Sequence, residues 1–148
     1  MEKIYHSSNK DTWTTPQFLF DYLNKEFSFD FDPCPFPKPY FDGLEIGWKK
    51  SNFVNPPYSN WQQWLKKGII ELGKNNNSVF LLASRTDTKA FHELILPYAK
   101  EIRFIKGRLK FGNSQNSAPF PSMIIIFGYD YQPKERVISL DITKMKKY

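Results

Sequence analysis

The apolar positions of this chain keep helical spacing in three stretches and strand-like spacing in several others. Phe18, Leu19, Tyr22 and Leu23, followed by Glu26, predict a helix with one face on the core. Thr15 stands where an N-cap belongs, with Pro16 at the first helical position. Phe27 to Asp32 alternates strictly, which predicts a strand with Phe27, Phe29 and Phe31 on one side and Asp32 at its end. Phe53 and Val54 end a short buried strand. Trp61, Trp64, Leu65, Gly68, Ile69 and Leu72 predict a second helix with Lys66 and Lys67 outward, Ser59 or Asn60 as its cap, and Gly73 with Asn75–Asn77 closing it. Ser78–Ala83 reads as a strand buried on both faces. Strand, helix, strand at this spacing is a parallel βαβ unit. A third helix is expected over Lys89–Leu96, capped by Thr88 or Asp87 and ended by Pro97. Glu101–Ile105, a short piece within 107–111 and Ser122–Phe127 read as strands, and Val137–Leu140 as a candidate addition. The pattern is α/β, with one domain over 1–148, a loosely ordered start at 1–13, a polar loop at 112–117 and a peripheral segment at 129–148.

Composition narrows the classes. No apolar run approaches a membrane span, and the start MEKIYHSSNKD lacks the apolar core of a secretory signal. Cys34 is the only cysteine, so no intrachain disulfide forms, and His6 and His92 are too far apart to suggest a zinc site. No metal and no membrane are expected, and the cytoplasm is the default compartment. The net charge of +6 favours a polyanionic partner, a balance that an ordinary soluble basic protein also shows. Aromatics interleaved with Lys and Arg suit stacking and phosphate contact.

The chemistry concentrates at Asn55-Pro56-Pro57-Tyr58-Ser59, directly after the strand ending at Val54. Asn55 and Pro56 each precede a proline and are pushed toward extended geometry. The prolines fix φ and donate nothing. The strap thus presents the Asn55 amide and the Pro56 carbonyl together, with Tyr58 just beyond. Two such acceptors can hold both N–H bonds of a planar amine and aim its lone pair, while Tyr58 stacks on the ring. The bland alternative is a Pro-Pro turn with Asn55 bonding the local backbone.

Asn55-Pro56-Pro57-Tyr58 resembles the catalytic motif of S-adenosylmethionine-dependent amino-methyltransferases. The wider pattern resembles the phage-type DNA N6-adenine methyltransferases, a Dam-like family. The matching pieces are Thr15-Pro16-Gln17, Phe31-Asp32-Pro33-Cys34, Asp42-Gly43-Leu44 with Trp48, Gly107-Arg108-Leu109-Lys110-Phe111 and Ala118-Pro119-Phe120-Pro121-Ser122-Met123, in order over about residues 12–128. The resemblance implies a reduced Rossmann-like class I methyltransferase sheet with helices on its faces. It also implies a site-specific enzyme moving a methyl from S-adenosylmethionine to adenine N6 in double-stranded DNA, in a phage or prophage, restriction-modification setting. By resemblance, Asn55, Pro56, Pro57 and Tyr58 are catalytic. Thr15, Pro16, Asp32, Pro33, Cys34, Asp42 and Leu44 hold the cofactor, and Ser59, Arg85, Arg108, Lys110, Phe111 and Phe120 meet DNA. Each also has a plainer reading: Thr15 as a cap, Asp32 and Asp42 as turn residues, Arg85 and Arg108 as solvated arginines, Phe111 and Phe120 as core, and Trp48 as packing.

The chain departs from the broader methyltransferase pattern after Asp32. Four prolines, at 33, 35, 37 and 39, stand where a glycine-rich loop and helix are expected. Only 22 residues lie between Asp32 and Asn55, too few for two more strands with crossover helices. The pocket for the adenosine half is therefore abbreviated. A methyltransferase acting on another planar amine, in protein glutamine or RNA guanine, and a cofactor-free nucleic-acid-binding module are the alternative readings.

Overall fold

A computed structural model describes residues 14–110 and 118–145. The start at 1–13, Phe111, the 112–117 loop and the residues after Met145 lie outside the described residues. Helix α1 spans Gln17–Phe27, strand β1 Ser51–Val54, helix α2 Trp61–Leu72 and strand β2 Asn77–Ala83. A π-helical stretch, Phe91–Ile95, runs on into Leu96–Tyr98 and together they form α3. Strands β3 (Glu101–Lys106), β4 (Ser122–Phe127) and β5 (Val137–Asp141) follow, then the short helix α4, Ile142–Met145.

The sheet order is β1-β2-β4-β3-β5. β1 pairs parallel with β2 and β3 with β5, while β4 is antiparallel to both β2 and β3. Four strands therefore point one way, and their carboxyl ends share an edge with the amino end of β4. The α/β expectation holds, as does the β1-α2-β2 unit. Alternate strand residues feed two cores, as the period of two requires. Phe53, Val79, Leu81, Ile124 and Ile126 pack under α1 with Leu19 and Leu23, and Met145 of α4 joins them. Val54, Phe80, Leu82, Ile125 and Phe127 pack under α2 and α3 with Leu65 and Ile95. Gly68 lets α2 lie close, because a Cβ there would meet the Phe80 ring at 2.8 Å.

Several expectations are corrected. Phe27–Asp32 is not a strand: α1 runs to Phe27 and Ser28 ends it in the left-handed region at φ 48°. Only Phe31 then bridges to β1, opposite Asn52. Asp30 still docks there, its N–H donating to Ser51 O and its carboxylate accepting from Ser51 N–H. Phe27 and Phe29 pack in one core and Phe31 in the other, so the three do not share a face. Thr15 is not the cap of α1; Pro16 holds that position, its carbonyl accepting from Leu19 and Phe20 N–H. Of the two candidate caps of α2, Asn60 holds the cap position, after a 3-10 turn, Tyr58–Asn60, without a side-chain cap bond. Gly73 is right-handed, and Asn75 takes the left-handed position. Thr88 does cap α3, accepting from Phe91 N–H at 3.2 Å, but Pro97 lies within its last turn, where the missing N–H is tolerated beside the π-helical stretch. No strand forms over 107–110; Leu109 is buried and its carbonyl accepts from Ala118 N–H. Within 129–145, β5 adds the candidate strand to the sheet beside β3, and Leu140 is buried.

Two polar clusters fix the frame. Arg103 of β3, nearly fully buried, binds Glu26 at the end of α1 through two N–H groups at 2.8 and 2.9 Å and Glu101 at 2.8 Å. Burial alone would lower its pKa, but Glu26 and Glu101 hold it above the ordinary value. This pins α1 against the sheet. Glu71 of α2, fully buried, accepts from Trp48 N–H, Asn76 Nδ2 and Lys67 Nζ at 2.9–3.0 Å. It ties the loop before β1 to α2.

Candidate functional site

β1 ends at Val54, so Asn55 leaves the sheet at its carboxyl edge, where ligands of open α/β sheets bind. Pro57 is extended (φ −58°, ψ 143°), and the chain then tightens into the 3-10 turn that starts with Tyr58. The Asn55 Nδ2 donates to Thr15 Oγ1 at 2.9 Å, across 40 positions of sequence. That bond fixes the amide's rotation, with its carbonyl oxygen at the end turned away from Thr15.

Asn55 lines two hollows at once. On one side Asn55, Pro56, Tyr58, Trp61 and Phe120 enclose a mostly apolar hollow over the end of β2. The Tyr58 and Phe120 rings lie 5.8 Å apart at 36°. Arg85 donates to the Tyr58 hydroxyl, and its guanidinium sits 5.5 Å from the Tyr58 ring centre. Arg85 is exposed, as its plainer reading expects, but its guanidinium is held on Tyr58. On the other side Asn55, Thr15, Gln17, Asp32, Cys34 and Phe53 surround a second, more polar hollow at the start of α1.

Asp32 makes the turn bond of the plainer reading, accepting from Cys34 N–H at 2.9 Å, and also lines the second hollow. Burial pushes its carboxyl up from 3.8 to about 6, against the pull of that N–H. Cys34 is pushed up to about 12 by burial and by Asp32 and Asp42, so it stays a neutral thiol. Through Cys34 and Phe36 the second hollow continues into a cleft of about 310 Å³ walled by Pro33, Asp42, Leu44, Pro57, Asn60 and Trp64. Asp42 forms the expected turn, its carboxylate accepting from Leu44 N–H at 3.0 Å. A Cβ on Gly43 would lie 1.9 Å from Pro33 O, so this cleft wall admits only glycine there. Trp48 is the packing residue expected, buried with its N–H on Gly43 O.

The structure thus brings together most of the residues singled out in the sequence and separates a few. Pro16 is buried in the start of α1 and lines neither hollow. Pro57 faces the cleft rather than the first hollow. Ser59, Arg108 and Lys110 are exposed, and Arg108 donates to Ala118 O at 3.2 Å. Phe120 is both core and hollow wall. Phe111 lies outside the described residues. Trp61, Gln17, Phe36 and Asn60 line the hollows without having been singled out for it; only the helical spacing from Asn60 to Trp64 hinted at a shared face. Among the described residues no group of three or more His, Cys, Asp or Glu could hold a metal, and no helix is long and apolar enough to cross a membrane.

A family model described as DNA N-6-adenine-methyltransferase (Dam) matches residues 4–146. A protein of Haemophilus phage HP1 (strain HP1c1), named DNA N-6-adenine-methyltransferase, is 28% identical over 138 residues, covering 81% of this chain and 80% of that protein. Among solved structures, the chain matches the Type IIL restriction-modification enzyme MmeI in complex with DNA at a TM-score of 0.49 and 14% identity, covering 78% of this chain but 22% of that one.

Proposed function

Because this chain belongs to the DNA N-6-adenine-methyltransferase family, we propose that it is a single-domain enzyme moving a methyl from S-adenosylmethionine to adenine N6 in double-stranded DNA. The observation that carries the detailed reading is the position of Asn55 between two hollows, one apolar and aromatic, one polar and holding a half-buried carboxylate. A transfer between two bound partners needs such a shared wall.

On the aromatic side, the Asn55 amide oxygen and the Pro56 carbonyl accept the two N–H bonds of the target amine. Its lone pair then points toward the second hollow. Tyr58 stacks on the extruded base, with Trp61 and Phe120 closing the hollow around it. Thr15 holds the Asn55 amide in the required rotation, so orientation is set before the substrate arrives. Tyr58 and Phe120 are too close to admit a ring between them, so Tyr58 swings outward as the base enters, and the Arg85 latch yields.

The residues of the second hollow fit the cofactor. Asp32 offers a half-buried carboxylate for an ammonium or sulfonium, the α1 start with Thr15 favours a carboxylate, and the cleft has apolar Leu44, Pro57 and Trp64 for a nucleoside. S-adenosylmethionine, when bound, supplies an electrophilic methyl on a cationic sulfur. Asp42 and Cys34 shape the passage between hollow and cleft. Exposed Ser59, Arg108 and Lys110 form a rim for the DNA backbone, and Arg85 joins it once Tyr58 releases it. The protein works in a phage or prophage setting, in the host cytoplasm.

Incubation with methyl-labelled S-adenosylmethionine and duplex DNA, followed by digestion to nucleosides, tests the reading. Label is expected in N6-methyladenine. Asn55→Ala should lower turnover by about 100-fold or more with little change in cofactor affinity, because the lost interaction strengthens as the nitrogen rehybridises. Label in RNA or protein, or cofactor-independent DNA binding alone, would replace this reading with the corresponding alternative.

A further inference from the structure

Among the described residues four buried side-chain polar atoms have no hydrogen-bond partner: Asn60 Oδ1, Trp64 Nε1 and the hydroxyls of Ser78 and Ser122. The serines are sheet residues of β2 and β4. Asn60 and Trp64 instead share one cleft, walled also by Leu44 and Pro57. They lie four apart at the start of α2, which places them on the same face. Native proteins carry few unpaired buried polar groups, because such groups lose their water and gain nothing.

Trp64 is held rigidly. Its ring stacks on Trp48 at 6.5 Å and 24°, and the Gly43 backbone closes on its far edge, where a Cβ would come within 2.9 Å. The two stacked indoles differ in one respect. Trp48 Nε1 donates to Gly43 O at 2.8 Å, whereas the buried Trp64 N–H has no partner. One acceptor and one donor, both desolvated and both on residues that wall the same cleft, match in kind the edge of a 6-aminopurine: an exocyclic amine next to an unprotonated ring nitrogen.

We propose that Asn60 and Trp64 are specificity-determining residues that read the 6-aminopurine edge of a nucleoside ligand in this cleft. Asn60 Oδ1 accepts from the exocyclic amine and Trp64 Nε1 donates to the neighbouring ring nitrogen. The apolar faces of Leu44 and Pro57 lie beside the ring. A 6-oxopurine presents an oxygen to the Asn60 oxygen and is rejected, the strong form of discrimination available to a buried polar site. The proposal rests on the cofactor reading above and concerns the cleft on the far side of Asn55 from the base to be methylated.

Calorimetric titration with S-adenosylhomocysteine and with its 6-oxo analogue, S-inosylhomocysteine, tests it without turnover. The unaltered chain should prefer the 6-amino ligand by about tenfold or more. Asn60→Ala should weaken S-adenosylhomocysteine about tenfold and bring the two ligands to similar affinity. Trp64→Phe keeps a ring in the stack and should weaken the 6-amino ligand alone. Because the ratio of two affinities is read on one folded sample, a loss of stability in either variant does not mimic the effect. Unchanged affinity and ratio in both variants would overturn the proposal while leaving the cofactor reading intact. Failure of the unaltered chain to bind either ligand, with DNA present, would overturn both.

Discussion

Asp32 offers a test of the second hollow through pH. Burial raises its carboxyl from 3.8 to about 6, so the ligand-free fold keeps a proton that the unfolded chain has lost. The sign follows: the free protein loses stability as pH rises from about 4 to 6, and ionised Asp32 costs up to about 3 kcal/mol above that window. A cationic ligand reverses the preference, since it pairs with the carboxylate. If only the ionised form binds tightly, affinity for S-adenosylmethionine at pH 5 is reduced by a factor of 1 + 10^(6−5), about tenfold below pH 7.5. The neighbouring thiol of Cys34, at about 12, does not titrate in this range. Asp32→Asn keeps the shape and the acceptor for Cys34 N–H. The variant should be more stable than the parent at pH 7.5 without ligand, bind S-adenosylmethionine more weakly by about 1–3 kcal/mol, and lose the pH dependence. Calorimetric titrations at pH 5.0, 6.0 and 7.5 with both proteins, beside thermal melts, measure all three. Equal affinities at pH 5 and 7.5 in the parent, or an Asp32→Asn variant that binds as tightly as it, would refute the pairing.

Thr15→Val removes the acceptor that fixes the Asn55 amide, and turnover should fall by about tenfold while the Michaelis constant for DNA changes little; steady-state kinetics decide, and an unchanged turnover would return Thr15 to a minor part. Arg108→Ala and Lys110→Ala should each weaken duplex binding across sequences and flatten its salt dependence, as seen by fluorescence anisotropy at several salt concentrations; salt-independent binding would remove them from the rim. Glu71→Ala leaves the buried Trp48 N–H unpaired and Asn76 Nδ2 with only its 3.4 Å bond to Trp48 O, and should cost about 3 kcal/mol in denaturant unfolding. Burial alone would raise the Glu71 carboxyl, but the bonds from Asn76, Lys67 and Trp48 hold it at about 2, so its contribution is full above about 4.5 and lost as pH falls through 2. An acid limb that is the same in parent and variant would contradict this.

Local chemistry settled much of this molecule. The run from Ser51 to Ala83 contains a strand, a motif, a helix and a buried strand whose periods are each unmistakable, and parallel pairing through a helix follows from connection length alone. The strap after Val54 was legible because prolines constrain their own backbone wherever they stand. Strands β3, β4 and β5 were also visible, since each is a compact apolar or alternating run.

What tertiary structure decided is where two distant segments compete for one group. Phe27–Asp32 alternates like a strand, yet α1 holds Phe27 and Ser28 turns left-handed, because the Phe27 and Phe29 rings pack under α1 against Phe20, Phe53 and Tyr131. Thr15 looked like a cap, but its hydroxyl is taken by Asn55 from 40 residues away. Asn60 does hold the cap position of α2, but its Oδ1 caps nothing and is left unpaired in a cleft that exists only because the proline-rich segment folds over α2. Periodicity reports which face of an element is apolar. It is silent on which polar atom meets which, since that depends on close approaches such as Gly43 on Pro33 and the burial that removes competing water.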